Sequence, residues 1–189
     1  MNEFIMKNLH LEHPEDSILG GDLTVLDWFT SIDNTISAKI DGSPAIVWGT
    51  EPKTGKFFVG TKSVFNKKLI KINYDHKTID KNHQGEVADI LHKCLDFLPV
   101  TTGIYQGDFI GFGGDFSFRP NTITYDFPEE LSQEVILAPH TFYTTESGDL
   151  RDAIAHPLGS RLCDTPDVMF VQPVVILDKD RQDIVDLCK

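Results

Sequence analysis

Two short β-prone runs, residues 45–48 and 57–61, are separated only by Glu51-Pro52-Lys53-Thr54-Gly55-Lys56 and its flanks, a stretch rich in turn-forming residues. A connection that short forces its strands antiparallel, because a parallel pair needs a crossover of about a dozen residues or more. A further β-prone run, residues 35–40, comes just before. The region therefore reads as an antiparallel meander whose first corner is Lys39-Ile40-Asp41-Gly42-Ser43-Pro44. On a strand, Lys39 and Asp41 project to one face, and Gly42-Ser43-Pro44 lets the backbone turn sharply. An amine beside a carboxylate, next to backbone that a ligand can approach closely, suits attack by lysine on a phosphate or carbonyl. Lys62, at the end of the third run, is placed to face the same ligand. The plain alternative is a surface ion pair between Lys39 and Asp41, which would contribute little.

The rest of the chain supplies a scaffold. Asp22 is positioned to cap a helix carrying Leu23, Leu26, Phe29 and Ile32 at helical spacing. Val87, Ile90, Leu91, Cys94, Leu95 and Leu98 form an apolar stripe, with Asp80 or Asn82 as cap and Pro99 as stop. Cys94 falls on that stripe and reads as core. Residues 65–81 read as an exposed lysine-rich loop. Along 103–112, Tyr105, Gly107, Phe109 and Gly111 share one side of a strand, and Gln106, Asp108 and Ile110 the other. A glycine directly before a carboxylate fits a floor on which a ligand lies close to the backbone; an exposed edge face is the alternative. Strands are also expected over 122–126, 135–144 and 168–177, with Pro139 and Pro173 marking edges or bulges, and a short helix over 150–155. The tally favours α+β with a mainly antiparallel sheet. One domain is expected over 1–189: a lead-in and helix at 1–33, a motif-bearing core at 34–145 and a C-terminal extension at 146–189.

Composition narrows the function classes. No apolar run reaches the roughly 18 residues of a spanning helix, and the N-terminus lacks a basic region followed by a long apolar core. No membrane association is expected. Cys94, Cys163 and Cys188 are too far apart for a zinc knuckle or a disulfide framework, so a reducing, cytoplasmic compartment is the expectation. His10 and His13 stand beside Pro14 without a third ligand nearby and read as surface or capping residues, so no metal ligand is assigned. The formal net charge is −12. It is unevenly spread: between Lys39 and Lys81, nine lysines stand against four acidic residues, while the remainder holds eight basic and 25 acidic residues. The lysine-rich 53–81 region is a candidate surface for phosphates or nucleic acid, or simply a solvated loop.

Lys39-x-Asp41-Gly42 resembles the nucleophile motif of the covalent nucleotidyltransferases: ATP-dependent DNA ligases, RNA ligases and mRNA-capping enzymes. Phage RNA ligases of the tRNA-repair type carry Lys-x-Asp-Gly-Ser followed by Ser-Lys-Gly-Ser, and here Lys39-Ile40-Asp41-Gly42-Ser43 is followed by Thr61-Lys62-Ser63. Gln106-Gly107-Asp108-Phe109 looks like the third motif of that superfamily, normally Gly-Glu on a strand. With Asp41-Gly42-Ser43-Pro44-Ala45, Arg119-Pro120-Asn121-Thr122-Ile123 and Tyr125, the chain also resembles a family of tailed-phage proteins related to these ligases. The resemblance covers roughly residues 9–145.

What the resemblance implies is an adenylyltransferase using ATP and Mg2+, with Lys39 as the nucleophile that forms a lysine-AMP intermediate. Asp41 would orient the motif, Gly42 and Ser43 form the turn, Lys62 meet phosphate, and Gln106 and Asp108 lie against the nucleotide, Asp108 replacing the glutamate that contacts ribose. Phe142 or Tyr143 would stack on adenine. The location implied is the cytoplasm of an infected host cell. The sequence departs from the superfamily in two places: residues 168–177 contain no Glu-Gly motif, and Asp178-Lys179-Asp180 is not its final Lys-x-Lys pair. That leaves three readings. The chain is a ligase-like adenylyltransferase, alone or completed by a second protein carrying those motifs; or a degenerate, non-catalytic module that binds nucleotide or a phage or host protein; or a structural protein without a nucleotide site.

Overall fold

The computed structural model describes residues 14–30 and 39–172. The run at 35–38, His10, His13, Ile32, Cys188 and the part of the last expected strand beyond Gln172 lie outside the described residues. The chain divides into two compact units: Ile40–Gln172 makes up the described part of one, and residues 14–30 with Lys39 belong to the other. In the latter, helices α1 (Pro14–Leu19) and α2 (Val25–Thr30) contact each other. The Asp22 carboxylate accepts from the Thr24 amide at 3.0 Å and hydroxyl at 2.6 Å, at the turn that leads into α2.

The larger unit is α+β. Its elements in order are β1 (Ala45–Thr50), β2 (Phe57–Gly60), a 3-10 turn (Lys62–Phe65), α3 (His76–Asn82), α4 (Glu86–Phe97), β3 (Ile104–Gly111), β4 (Asp115–Phe118), β5 (Tyr125–Leu131), β6 (Val135–Thr144), a second 3-10 turn (Leu150–Asp152), β7 (Ile154–Pro157) and β8 (Val168–Phe170). The main sheet runs β2-β1-β3-β6-β7, antiparallel throughout, and β8 joins β6 in parallel; β4 and β5 make a separate ribbon. β1 and β2 form the hairpin read from their turn residues, with Gly55 at φ 66° and its amide bonded to the Glu51 carbonyl. The partner on the other side of β1 is β3, not a preceding strand. Lys39 to Asp41 therefore do not belong to a meander. The Asp41 and Gly42 amides are taken by the side chains of Tyr125 and Asp108, which satisfies them without a neighbouring strand.

The stripe read over 87–98 becomes α4, whose Ile90, Leu91 and Cys94 pack against Ile46, Trp48, Val59, Phe109 and Leu137 on one sheet face. Full burial of a residue such as Ile90 or Leu91 contributes about 1.5–3 kcal/mol. Burial also pushes the Cys94 thiol well above its ordinary pKa, which removes it from nucleophilic chemistry. The cap is Gly85 at φ 61°, not Asp80 or Asn82, because those residues are consumed by α3. The expected loop over 65–81 is thus part helix: the Asp75 carboxylate accepts the Thr78 amide, and the Thr78 hydroxyl meets the Asp75 backbone, a reciprocal cap. At 150–155 the expected helix is a 3-10 turn followed by β7, and the strand expected over 122–126 begins at Tyr125 and runs on to Leu131.

The opposite sheet face carries two apolar clusters. Val47, Phe58, Ile104 and Tyr143 pack with Val64, Phe65 and Leu150; further along β3, Ile110 packs with Phe118, Leu131, Ile136 and Ala138. Between Ile104 and Ile110, the same face of β3 carries Gln106 and Asp108.

Candidate functional site

The site begins with that interruption of an apolar strand face. Gln106 and Asp108 are 3 % and 5 % exposed. Burying polar or charged groups is costly unless they are paired, and both have partners. The Gln106 amide oxygen accepts from the Tyr143 hydroxyl at 2.6 Å across β3 and β6. One Asp108 oxygen lies 3.4 Å from the Gly42 amide, and the other 3.4 Å from His140 Nε2. β3 thus holds the corner that follows Lys39 from a position 66 residues further along the chain.

Why the corner can come so close is a matter of glycine. A Cβ on Gly42 would stand 2.3 Å from the Phe109 carbonyl oxygen, inside any allowed contact. The Ser43 amide donates to that same carbonyl at 3.0 Å, and the Phe109 amide donates to the Pro44 carbonyl at 3.0 Å. The Ser43–Pro44 peptide bond is cis. Asp41 is held from the other side. Its amide donates to the Tyr125 hydroxyl at 2.9 Å, the same hydroxyl lies 3.0 Å from its carbonyl, and Asn121 Nδ2 donates to its carboxylate at 2.7 Å.

Lys62 opens the 3-10 turn after β2, anchored below by buried Val64 and Phe65 while its own side chain is exposed. Thr61 caps that turn, its hydroxyl 2.8 Å from the Ser63 hydroxyl. Gly60 pairs with Val47 and Asp108 with Ala45, so the end of β2, the start of β1 and Asp108 all stand at one end of the sheet. Lys39 is exposed and belongs to the other compact unit, two residues before Asp41.

Of the residues singled out in sequence, the fold brings Asp41, Gly42, Ser43, Gln106 and Asp108 together and sets Lys62 at the same sheet end. Tyr143 is core: its ring packs on Phe65 at 4.4 Å, and burial pushes its phenol well above the usual range. Phe142 stacks on His156 at 4.9 Å. His140 was not anticipated. Between Gln106–Thr141 and Gly107–Pro139 the pairing of β3 with β6 gains one residue on β6, and that residue is His140. Such a bulge re-aims a side chain that strict alternation would send elsewhere. His140 Nδ1 also lies 2.7 Å from the Thr141 hydroxyl.

Among the described residues no three His, Cys, Asp or Glu side chains gather as a metal site. A surface depression lined by Lys67, Ser147, Asp149, Arg151 and Asp152 holds none of the motif residues. There Arg151 and then Lys53 keep the Asp149 carboxyl far below the ordinary carboxylate range.

A family model matches residues 8–184, nearly the whole length. The chain belongs to the DUF6267 family. That family is described as one of unknown function. No curated protein and no solved structure matches the DUF6267 chain. Within its described residues no helix is long and apolar enough to cross a membrane.

Proposed function

We propose that this DUF6267 chain is a ligase-like adenylyltransferase that activates nucleic-acid ends. The observation that carries the reading is the contact of Gly42 with buried Asp108: two motifs distant in sequence meet at one end of a sheet, with Gln106 beside them and Lys62 following the neighbouring strand. In this reading the Lys39 amine, unprotonated, attacks the α-phosphorus of ATP. The P–N bond forms, the bond to the bridging oxygen breaks, pyrophosphate leaves with that electron pair, and the amine proton passes to solvent. A nucleic-acid 5′-phosphate then attacks the same phosphorus and displaces the lysine, which regains a proton. Gln106 and Asp108 hold the nucleotide against the strand, Asp108 accepting from ribose hydroxyls. Lys62 offers its charge to the phosphates. Exposed Lys67, Lys68, Lys77 and Lys81 extend a basic surface suited to a polynucleotide backbone. A phage source, a host-cell cytoplasmic location and Mg2+ accompanying the ATP phosphates belong to the same proposal.

A second reading rests on the missing Glu-Gly and Lys-x-Lys motifs. Without their charges the transition state on phosphorus is poorly stabilised, and the chain binds a nucleotide, or a second protein that carries those parts, without transfer. Incubation with ATP labelled at the α-phosphate separates the two. Label retained through denaturation by the wild type and lost in Lys39→Ala supports transfer. Nucleotide binding by both proteins with no retained label supports the binding module.

A further inference from the structure

Helices α3 and α4 carry the same short pattern, His76-x-x-x-Asp80 and His92-x-x-x-Asp96, which places each His and Asp on one helix face. The two helices exchange partners. His92 Nε2 lies 2.9 Å from Asp80, and His76 Nε2 lies 3.0 Å from Asp96. The imidazole ring centres lie 4.9 Å apart with 24° between their planes, and their Nδ1 atoms face each other at 2.6 Å.

Proton counting makes this arrangement informative. A neutral imidazole carries one N–H, and a carboxylate only accepts. If each ring gives its proton to the carboxylate behind it, both Nδ1 lone pairs converge on one point, and that point needs a cation. It is either a third proton, shared between the rings, or a metal ion. Metal-bound histidines characteristically donate their other N–H to a carboxylate, which fixes the tautomer and strengthens the ligating nitrogen. Here both outer carboxylates are already in place.

We propose that His76 and His92 form a surface site for a divalent transition metal that favours imidazole, such as Zn2+. The Nδ1 atoms are the ligands and Asp80 and Asp96 the supporting carboxylates. Two nitrogens at about 2.0–2.1 Å from one tetrahedral ion stand roughly 3.3 Å apart. The rings therefore open by well under 1 Å from their present 2.6 Å separation. With His76 and Asp96 about half-exposed and Asp80 more so, the side chains have room for that movement and solvent can complete the coordination. The site joins two helices, so occupancy ties α3 to α4. It is independent of the adenylyl-transfer reading, since it uses none of the residues at the Gly42–Asp108 corner.

The test is calorimetric titration of the metal-stripped full-length protein with ZnCl2, in two buffers of different ionisation enthalpy so that released protons are counted. His76→Ala and His92→Ala are run alongside, with Cys163→Ser as a control for the exposed thiol. Expected is a 1:1 event in the wild type and in Cys163→Ser. Affinity should fall tenfold or more in each histidine variant, and Asp80→Asn should weaken it less. Circular dichroism confirms that each variant is folded; a variant that is not is replaced by His→Gln at that position. No uptake by the wild type, or uptake unchanged in both histidine variants, overturns the proposal.

Discussion

At the scale of single residues, Gly42 is the most constrained position in the candidate site. An added methyl collides with the Phe109 carbonyl at 2.3 Å, and that carbonyl is fixed by the Ser43 amide. Gly42→Ala should therefore lower stability by about 1–3 kcal/mol in urea denaturation, as overpacking does, and should move the corner away from Asp108. A loss below about 0.5 kcal/mol, at the level of an ordinary surface change, would show that the corner is looser than described. Gly42 and Asp108 were visible in the sequence because each breaks a local rule: a glycine beside a possible nucleophile, and a carboxylate on an apolar strand. Pro139 marks an edge or bulge in the sequence, and a bulge falls beside it; that His140 is the extra residue and reaches Asp108 is set by the pairing with β3, which local pattern does not carry. Asn121 and Tyr125 stood in the motif string without a role. Their contact with Asp41 spans 80 and 84 residues, a distance over which local pattern carries no information.

At the scale of elements, legibility followed how local the determining interaction is. The β1–β2 hairpin, α4, β3 and β6 were read from turn residues or periodicity, and β6 matches residue for residue. α3 was missed because its apolar content is one buried residue, Ile79, and its start is written in Asp75 and Thr78, not in a stripe. Asp75→Ala should accordingly lower stability by removing a side-chain cap, measured by thermal or chemical denaturation; no loss would mean the cap is redundant. The connection before α3 also has a pH signature. Burial, reinforced by the adjoining Glu51 carboxylate, pushes the Tyr74 phenol up to about 12, above its ordinary 10.0. The folded chain therefore holds this proton more tightly than the unfolded one. Tyr74's contribution is intact below about pH 10 and is lost as pH rises through about 12. A Tyr74→Phe variant should show a shallower decline of stability across that window, and an identical decline would assign the effect to other groups.

For the whole molecule, a chain of net charge −12 keeps its lysines concentrated between Lys39 and Lys81, and the fold sets the end of β2, the corner after Lys39 and Asp108 at one end of the sheet. Under the proposed reading, the acidic residues elsewhere would repel polyanions and favour approach of a phosphate-bearing ligand to that basic stretch. Lys39 itself belongs to the smaller unit, and the proposed transfer requires it to act with the residues of that sheet end. Whether those parts work together is settled most directly by the intact mass of the purified protein, before and after incubation with ATP and Mg2+, beside Lys39→Ala. The account predicts a gain of one AMP on the wild type and none on the variant. A wild type whose mass is unchanged across several divalent metals and pH values, or an equal gain on Lys39→Ala, would contradict it.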